Sequence, residues 1–182
     1  MAIDKIILFG ATGMLGNYIY SYFKQNTKIP VSIVYSRITQ ENIHNLRYLL
    51  ESYNIDSNTC VINCIGQIPQ RMDKSDKHYY FINSIFPNIL WEICKSFGAK
   101  MIQPSTDYVF SGDRINGSYK ETDKHDDTRA YGMSKSLGEP YDCTVIRTSI
   151  IGQEKRNKKS FLEFVLVKLI NFGPILNVPP FS

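Results

Sequence analysis

Short, mainly apolar runs alternate along this chain with stretches whose hydrophobic residues return every three or four positions. Lys5 to Phe9, Val31 to Tyr35, Cys60 to Ile65, Lys100 to Gln103 and Thr144 to Arg147 have the length of strands. Runs with few polar breaks suit a parallel sheet, whose strands are covered on both faces. Between them, Met14, Leu15, Tyr18, Ile19, Tyr22 and Phe23 repeat at helical spacing, as do Ile43, Leu46, Leu49, Leu50 and Tyr53. A third helical pattern runs from about Asp76 to Phe97 and is closed by Gly98, which suits the left-handed C-terminal position of a helix. Pro87 interrupts it and predicts either a kink or a neighbouring turn that accommodates the lost N–H. A fourth helix is expected from about Arg129 to Glu139, and Phe161 to Ile170 reads as one more. Pro179-Pro180 excludes helix at the end. Alternating strands and helices predict an α/β fold: a doubly wound parallel sheet with helices on both faces.

Composition narrows the class without naming a function. The chain has 182 residues, of which 43% are hydrophobic and 21% charged, as expected of one globular domain with a substantial core. A net charge of +4 is too modest to suggest a nucleic-acid surface and is matched as well by a small anionic ligand. Part of the excess is local, in the basic segment from Glu154 to Lys159, read as a solvated loop or helix start. Cys60, Cys64, Cys94 and Cys143 lie in apolar settings without Cys-x-x-Cys pairing, and the three histidines add no metal-ligand spacing. Free thiols in a reducing cytoplasm are the expectation. The beginning, Met-Ala-Ile-Asp-Lys, does not read as a signal peptide, and no run approaches a membrane span.

Candidate chemistry begins at the first strand. Gly10-Ala-Thr12-Gly13-Met14-Leu15-Gly16 joins it to the first helix, the context in which a glycine pattern becomes a dinucleotide-binding turn of Rossmann type. Gly10 permits the tight turn, Gly13 lets a pyrophosphate approach the backbone, and Gly16 lets helix and strand pack closely. The helix N-terminus then offers N–H groups and a partial positive charge to the phosphates. The spacing is G-x-x-G-x-x-G, not G-x-G-x-x-G. At the end of the second strand Ser36-Arg37 stands where a carboxylate would favour NADH, so NADPH is favoured over NADH. Ile65 and Gly66, after the third strand, lie where a cofactor crosses the strand tips.

The fourth strand delivers Ser105 and Thr106 to its carboxyl end, where ligands bind in such sheets. Ser111 to Thr128 follows as a polar loop long enough to be functional. Tyr131 and Lys135, four apart, share one helix face. A lone Tyr-x-x-x-Lys is more often a solvated face. Here a phenol beside an ammonium reads as a proton donor of lowered pKa, with the Thr106 hydroxyl able to bond a carbonyl oxygen from the other side. Asn83 is read as a residue that bonds a backbone carbonyl and anchors a water near the lysine.

Taken together, the glycine turn, Ser105-Thr-Asp-Tyr-Val-Phe and Tyr131-Gly-x-Ser-Lys resemble the extended short-chain dehydrogenase/reductases. The chain is most similar within them to the dTDP-4-dehydrorhamnose reductase family. The likeness runs from residue 3 to about 152, including Tyr119-Lys-Glu-Thr-Asp and Ile146-Arg-Thr-Ser. It implies that a nicotinamide hydride reaches C4 of a nucleotide-diphosphate 4-keto-6-deoxy sugar, and that Tyr131 protonates the new alkoxide. Lys135 would bond the nicotinamide ribose, and Ser105, Asp107 and Tyr108 would face the substrate. A tyrosine at 108, where related dehydratases carry glutamate and epimerase-reductases cysteine, implies simple reduction.

The resemblance divides the chain into a cofactor domain, 1–152, and the beginning of a substrate lobe, 153–182. Most of that lobe is expected to lie outside the sequence. Its absence would weaken sugar binding and leave an apolar patch that favours self-association, for instance as a homodimer. Two alternatives belong to the same resemblance: a non-catalytic NADP(H)-binding regulatory subunit of the methionine adenosyltransferase beta type, and another sugar-nucleotide epimerase or reductase.

Overall fold

The protein was analysed as a computed structural model describing residues 2–69, 76–114 and 118–149. Five parallel strands form one sheet: β1 (Lys5–Phe9), β2 (Val31–Val34), β3 (Thr59–Asn63), β4 (Lys100–Ser105) and β5 (Thr144–Arg147). Their order across the sheet is β2-β1-β3-β4-β5, so the winding reverses between β1 and β3. Open sheets of this kind bind ligands at such a reversal, beyond the carboxyl ends of the strands.

The period-two register of β1 feeds two cores. Ile6 and Leu8 join Cys60 and Ile62 on one face, covered by Ile19, Tyr20 and Phe23 of α1 (Met14–Asn26). Ile7 and Phe9 join Val61 and Met101 on the other. There α2 (Leu46–Ser52) contributes Leu46 and Leu50, and α4 (Phe86–Ser96), the second of two helices before β4, contributes Phe86, Leu90, Trp91 and Cys94. The four cysteines are free.

β2 ends one residue early, at Val34, β4 runs on to Ser105, and the helix expected over 129–139 is Ala130–Leu137; two further changes have a local reason. β3 ends at Asn63 rather than Ile65, because the Asn63 Oδ1 accepts the Ile65 N–H at 3.1 Å and turns the chain. The pattern from Asp76 to Phe97 is three pieces: α3 (Asp76–Tyr80), a π-helical turn at Phe81–Ile85, and α4. Pro87 falls in the first turn of α4, and the wider turn upstream accommodates the missing N–H. Likewise Ile43–Asn45 forms a 3₁₀ turn ahead of α2. The polar loop after β4 is tied down at several points. Phe110 stacks on Tyr119 with centroids 4.5 Å apart, and Asp126 accepts from the Ser111 N–H at 2.7 Å and the Tyr119 hydroxyl at 2.9 Å. The basic segment 154–159, the helix expected at 161–170 and the expected lobe boundary at 152–153 lie outside the described residues.

Candidate active site on the carboxyl rim of the sheet

The glycine turn leaves β1 at the reversal point. Gly10 has φ of +74°, and a Cβ there would sit 2.7 Å from the backbone of Cys64. A Cβ on Gly16 would lie 2.3 Å from the Gly10 carbonyl oxygen, so α1 approaches the turn too closely for any side chain. Gly13 differs. Its φ is ordinary, and a Cβ would meet only the Gly10 carbonyl oxygen, at 3.4 Å. The protein itself therefore does not require glycine at 13, and the space beside it is what an approaching pyrophosphate would fill. Gly13 also caps α1 without a side-chain acceptor for the first N–H groups, those of Met14, Leu15 and Gly16, which suits an anion. Thr12 is exposed at the tip of the turn.

Arg37 lies beyond β2, beside the turn, since β1 and β2 are neighbours with Phe9 opposite Val34. Ser36 and Arg37 are exposed, and the Arg37 carbonyl accepts from the Asn42 Nδ2 at 2.7 Å, which fixes the backbone while leaving the guanidinium outward. Ile65 and Gly66 follow β3 next to the turn, as expected, and a Cβ on Gly66 would have room, 3.8 Å from the Asn83 Oδ1.

The second half of the site is carried by α5 (Ala130–Leu137). Lys135 is 8% exposed, and its Nζ donates to the carbonyl of Pro104 on β4 at 2.9 Å. Gln103 Nε2 donates to the same oxygen at 3.0 Å, and the Gln103 Oε1 accepts from Asn63 Nδ2 at 2.8 Å. A buried polar chain thus joins the tips of β3 and β4 to the lysine. With strands about 4.8 Å apart, the β1 and β4 tips stand about 10 Å apart on one rim, within the length of a dinucleotide. Burial pushes the Lys135 ammonium down to about 8, with the Glu139 and Cys64 side chains pulling it back up.

Tyr131 sits one turn before Lys135, its ring edge-on to Tyr108 at 6.0 Å and to Tyr79 at 6.3 Å. Burial holds its phenol above the ordinary tyrosine range, and a hydrogen bond with Thr106 only partly offsets this. The lowered pKa expected from the sequence is therefore corrected. Desolvation of the phenol dominates, and the charges acting on it are those of Asp107, Tyr108 and Tyr79, which push the same way. Thr106 Oγ1 also donates to Asp107 Oδ1 at 3.2 Å and accepts the Tyr108 N–H at 3.2 Å, so Thr106 through Tyr108 form one tight turn beside the phenol. Tyr108 is half exposed at the rim.

Asn83 lies in the π-helical turn and is 1% exposed. Its Nδ2 donates to the Gln67 carbonyl and to Ser134 Oγ, each at 3.0 Å, while its Oδ1 accepts the Gln67 N–H at 2.8 Å. The expected bond to a backbone carbonyl is present, but both amide hydrogens are committed, leaving one lone pair for any water. Next to it, a Cβ on Gly138 would stand 1.6 Å from the Asn83 carbonyl oxygen, so α5 and the π-helical turn meet at backbone contact.

Several residues of the rim escaped the sequence reading. Gly132, where a Cβ would clash with Asp127 and Tyr108, lets α5 lie against the Thr106–Tyr108 turn. Glu139 accepts from Ser105 Oγ at 2.5 Å and from Arg147 NH2 at 2.6 Å. Gly132, Glu139 and Arg147 stood inside the recognised motifs, but only the fold reveals what they touch.

A five-stranded parallel sheet with a glycine turn at its reversal point is a Rossmann-like fold. Within that class, the family model described as RmlD substrate binding domain matches residues 4–178. The chain belongs to this family, that of dTDP-4-dehydrorhamnose reductase and related sugar-nucleotide reductases. The spore coat polysaccharide biosynthesis protein SpsK of Bacillus subtilis is 29% identical over 153 residues, covering 80% of this chain and 52% of that protein. Methionine adenosyltransferase 2 subunit beta of Bos taurus is 25% identical, over 74% of this chain and 41% of that one. Among solved structures, a dTDP-4-dehydrorhamnose reductase from Clostridium acetobutylicum superposes with a TM-score of 0.72 at 26% identity, covering 92% of this chain and 60% of that one. The Bacillus anthracis enzyme of that name, solved with NADP, shares the fold at a TM-score of 0.76 and 23% identity, over 94% of this chain and 61% of its own. The chain spans about half the length of the curated relatives it matches. Among the described residues no helix is long and apolar enough to cross a membrane, and no cluster of side chains could hold a metal ion.

Proposed function

We propose that this chain binds NADPH in preference to NADH and reduces the 4-keto group of a nucleotide-linked 4-keto-6-deoxy sugar, as in the formation of dTDP-L-rhamnose. The observation that carries this reading is the juxtaposition of Tyr131 with Thr106 on the rim where Lys135 is seated on the Pro104 carbonyl. When bound, the dinucleotide supplies the hydride. Tyr131, kept protonated by burial, donates its hydroxyl proton to the oxygen of the reduced carbonyl. Thr106 Oγ1 holds that oxygen from the opposite side. Lys135 bonds the nicotinamide ribose and, while charged, stabilises the phenolate that Tyr131 becomes. Gly10, Gly13 and Gly16, with Thr12, Met14 and Leu15, would hold the pyrophosphate, Ile65 and Gly66 would border the dinucleotide, and Arg37 would pair with the 2′-phosphate.

Asp107 and Tyr108, both exposed, form the substrate side; the Ser105 hydroxyl, expected there from the sequence, is buried and committed to Glu139. Tyr108 stands where a proton-abstracting carboxylate would be needed for dehydration; a phenol, here with the Arg129 guanidinium over its ring at 5.4 Å, is a weaker choice for a carbon acid, which favours reduction. Asn83 serves by fixing the Gln67 backbone and α5, with its remaining lone pair available to a relay water. The four free thiols suit a reducing, cytoplasmic setting. The test is a spectrophotometric assay with NADPH and a dTDP-linked 4-keto-6-deoxy sugar: turnover that Tyr131→Phe abolishes supports the reading.

A second reading has its own support, because methionine adenosyltransferase 2 subunit beta proteins stand at similar identity, 25% in Bos taurus and 27% in Danio rerio. Tight NADPH binding with no turnover of any keto sugar would favour a regulatory subunit. The intact Thr106, Tyr131 and Lys135 weigh against it.

A further inference from the structure

Glu139, just after the tyrosine–lysine helix, and Arg147, at the end of β5, meet in a part-buried ion pair. Glu139 is folded back under α5 with its side chain 8% exposed. Arg147 grips it with Nε, 2.9 Å from Oε1 and 3.1 Å from Oε2, and with NH2, 2.6 Å from Oε2. Ser105, the residue before Thr106, donates its hydroxyl to Oε1 at 2.5 Å. The NH1 of Arg147 reaches the Glu121 carbonyl at 2.9 Å, and its guanidinium lies over the Phe110 ring at 5.6 Å. One carboxylate thereby ties the tips of β4 and β5, the polar loop and the end of α5 together. It is also the acid whose field acts on Lys135.

We propose that Glu139 is a positioning residue of the site: gripped by Arg147 and Ser105 four residues after Lys135, it sets the end of α5, and the lysine with it, against the Ser105–Thr106 tip. A lysine this deeply buried loses its proton unless a negative group faces it, and Pro104 offers only a dipole. The charged and titratable groups acting on Lys135 are Glu139 and the thiol of Cys64, and its ammonium sits on the Pro104 carbonyl. Those facing Glu139 are Arg147, Ser105 and His125, whose Nε2 lies 3.7 Å from Oε2. Burial keeps His125 below the ordinary histidine range, so it adds little charge near neutrality, and its Nδ1 is engaged with Ser136 Oγ at 2.7 Å. Among these groups Glu139 is the one carboxylate facing the lysine.

The inference rests on Lys135 belonging to the site, but its test needs no sugar turnover. Protein carrying ¹³C-labelled lysine is titrated by NMR, with the Lys135 signal assigned by its loss in Lys135→Met. In the wild type the signal should titrate near 8. Glu139→Gln keeps shape and hydrogen bonding but not charge, and the midpoint falls by about one pH unit or more. Glu139→Asp, which keeps the charge one methylene further away, moves it by less and covers the case in which the glutamine variant does not fold. NADPH affinity at pH 8 falls with the midpoint in both. A lysine midpoint unchanged from wild type in whichever variants fold overturns the proposal. Lost stability with an unmoved midpoint reduces Glu139 to a structural ion pair. A moved midpoint in a protein that turns over no sugar leaves the proposal standing and removes the reductase reading instead.

Discussion

Lys135 places its ammonium on the carbonyl of Pro104, at 2.9 Å, and so fastens the tyrosine-bearing helix to the tip of β4. The contact joins the helix that carries Tyr131 to the strand that delivers Thr106. A buried cation held by a neutral dipole is costly, and it leaves a signature in the pH dependence of folding. The Lys135 pKa is about 8 in the folded chain against an ordinary 10.5, so the unfolded chain binds the additional proton between those values. Stability contributed by this group therefore rises with pH across that window. Relative to Lys135→Met, the wild type should gain up to about 3 kcal/mol between pH 8 and 10.5, read by denaturant unfolding of both proteins at each pH. A flat difference would mean that the lysine is not desolvated. Taking the difference cancels the buried Cys94 and Cys143 thiols, which the folded state keeps protonated and which lower stability in the same range; Cys64, which Lys135 acts on, leaves a smaller remainder of the same sign as the lysine's own gain.

Tyr131→Phe removes one hydroxyl from a ring that stays packed against Tyr79 and Tyr108. Turnover of the keto sugar should fall about a hundred- to ten-thousand-fold while NADPH affinity changes little, as separate rate and binding measurements would show. Equal loss of both would place the phenol in binding rather than proton transfer.

The glycines separate fold from ligand. Gly16→Ala drives a methyl into the Gly10 carbonyl and should destabilise the chain by about 1–3 kcal/mol or more in urea unfolding. Gly13→Ala meets ordinary contact only, so stability should hold within about 1 kcal/mol. Its NADPH affinity should nevertheless drop about tenfold or more, because the methyl fills the space left for the pyrophosphate. Fluorescence titration checks the second result.

Arg37 is exposed, and its charge can be changed without touching the core. Arg37→Asp should leave Tm unchanged and move the preference from NADPH to NADH, measured as the ratio of the two dissociation constants. An unchanged ratio would take Arg37 out of the cofactor site.

Much of this was legible in the residues themselves. The strand limits of β1 and β5, the glycine turn and the tyrosine–lysine helix follow from hydrophobic period and spacing. The π-helical turn at Phe81–Ile85 was not legible, because Pro87 allows a kink or an accommodating turn and spacing does not choose. Nor was the direction of the Tyr131 shift. Spacing puts a cation one turn away, but only packing shows how far the phenol is desolvated. Glu139 and Arg147 read as ordinary polar residues until β4, β5 and α5 converge on them.

The central claim is that the glycine turn and the tyrosine–lysine helix serve one bound dinucleotide. It is tested most directly by NMR of protein labelled at glycine and tyrosine, titrated with NADPH and then with adenosine 2′,5′-bisphosphate. Intact NADPH should move both the Gly13 amide and the Tyr131 ring signals, and the adenosine half should move Gly13 alone. A Tyr131 signal unmoved at saturating NADPH would contradict the account.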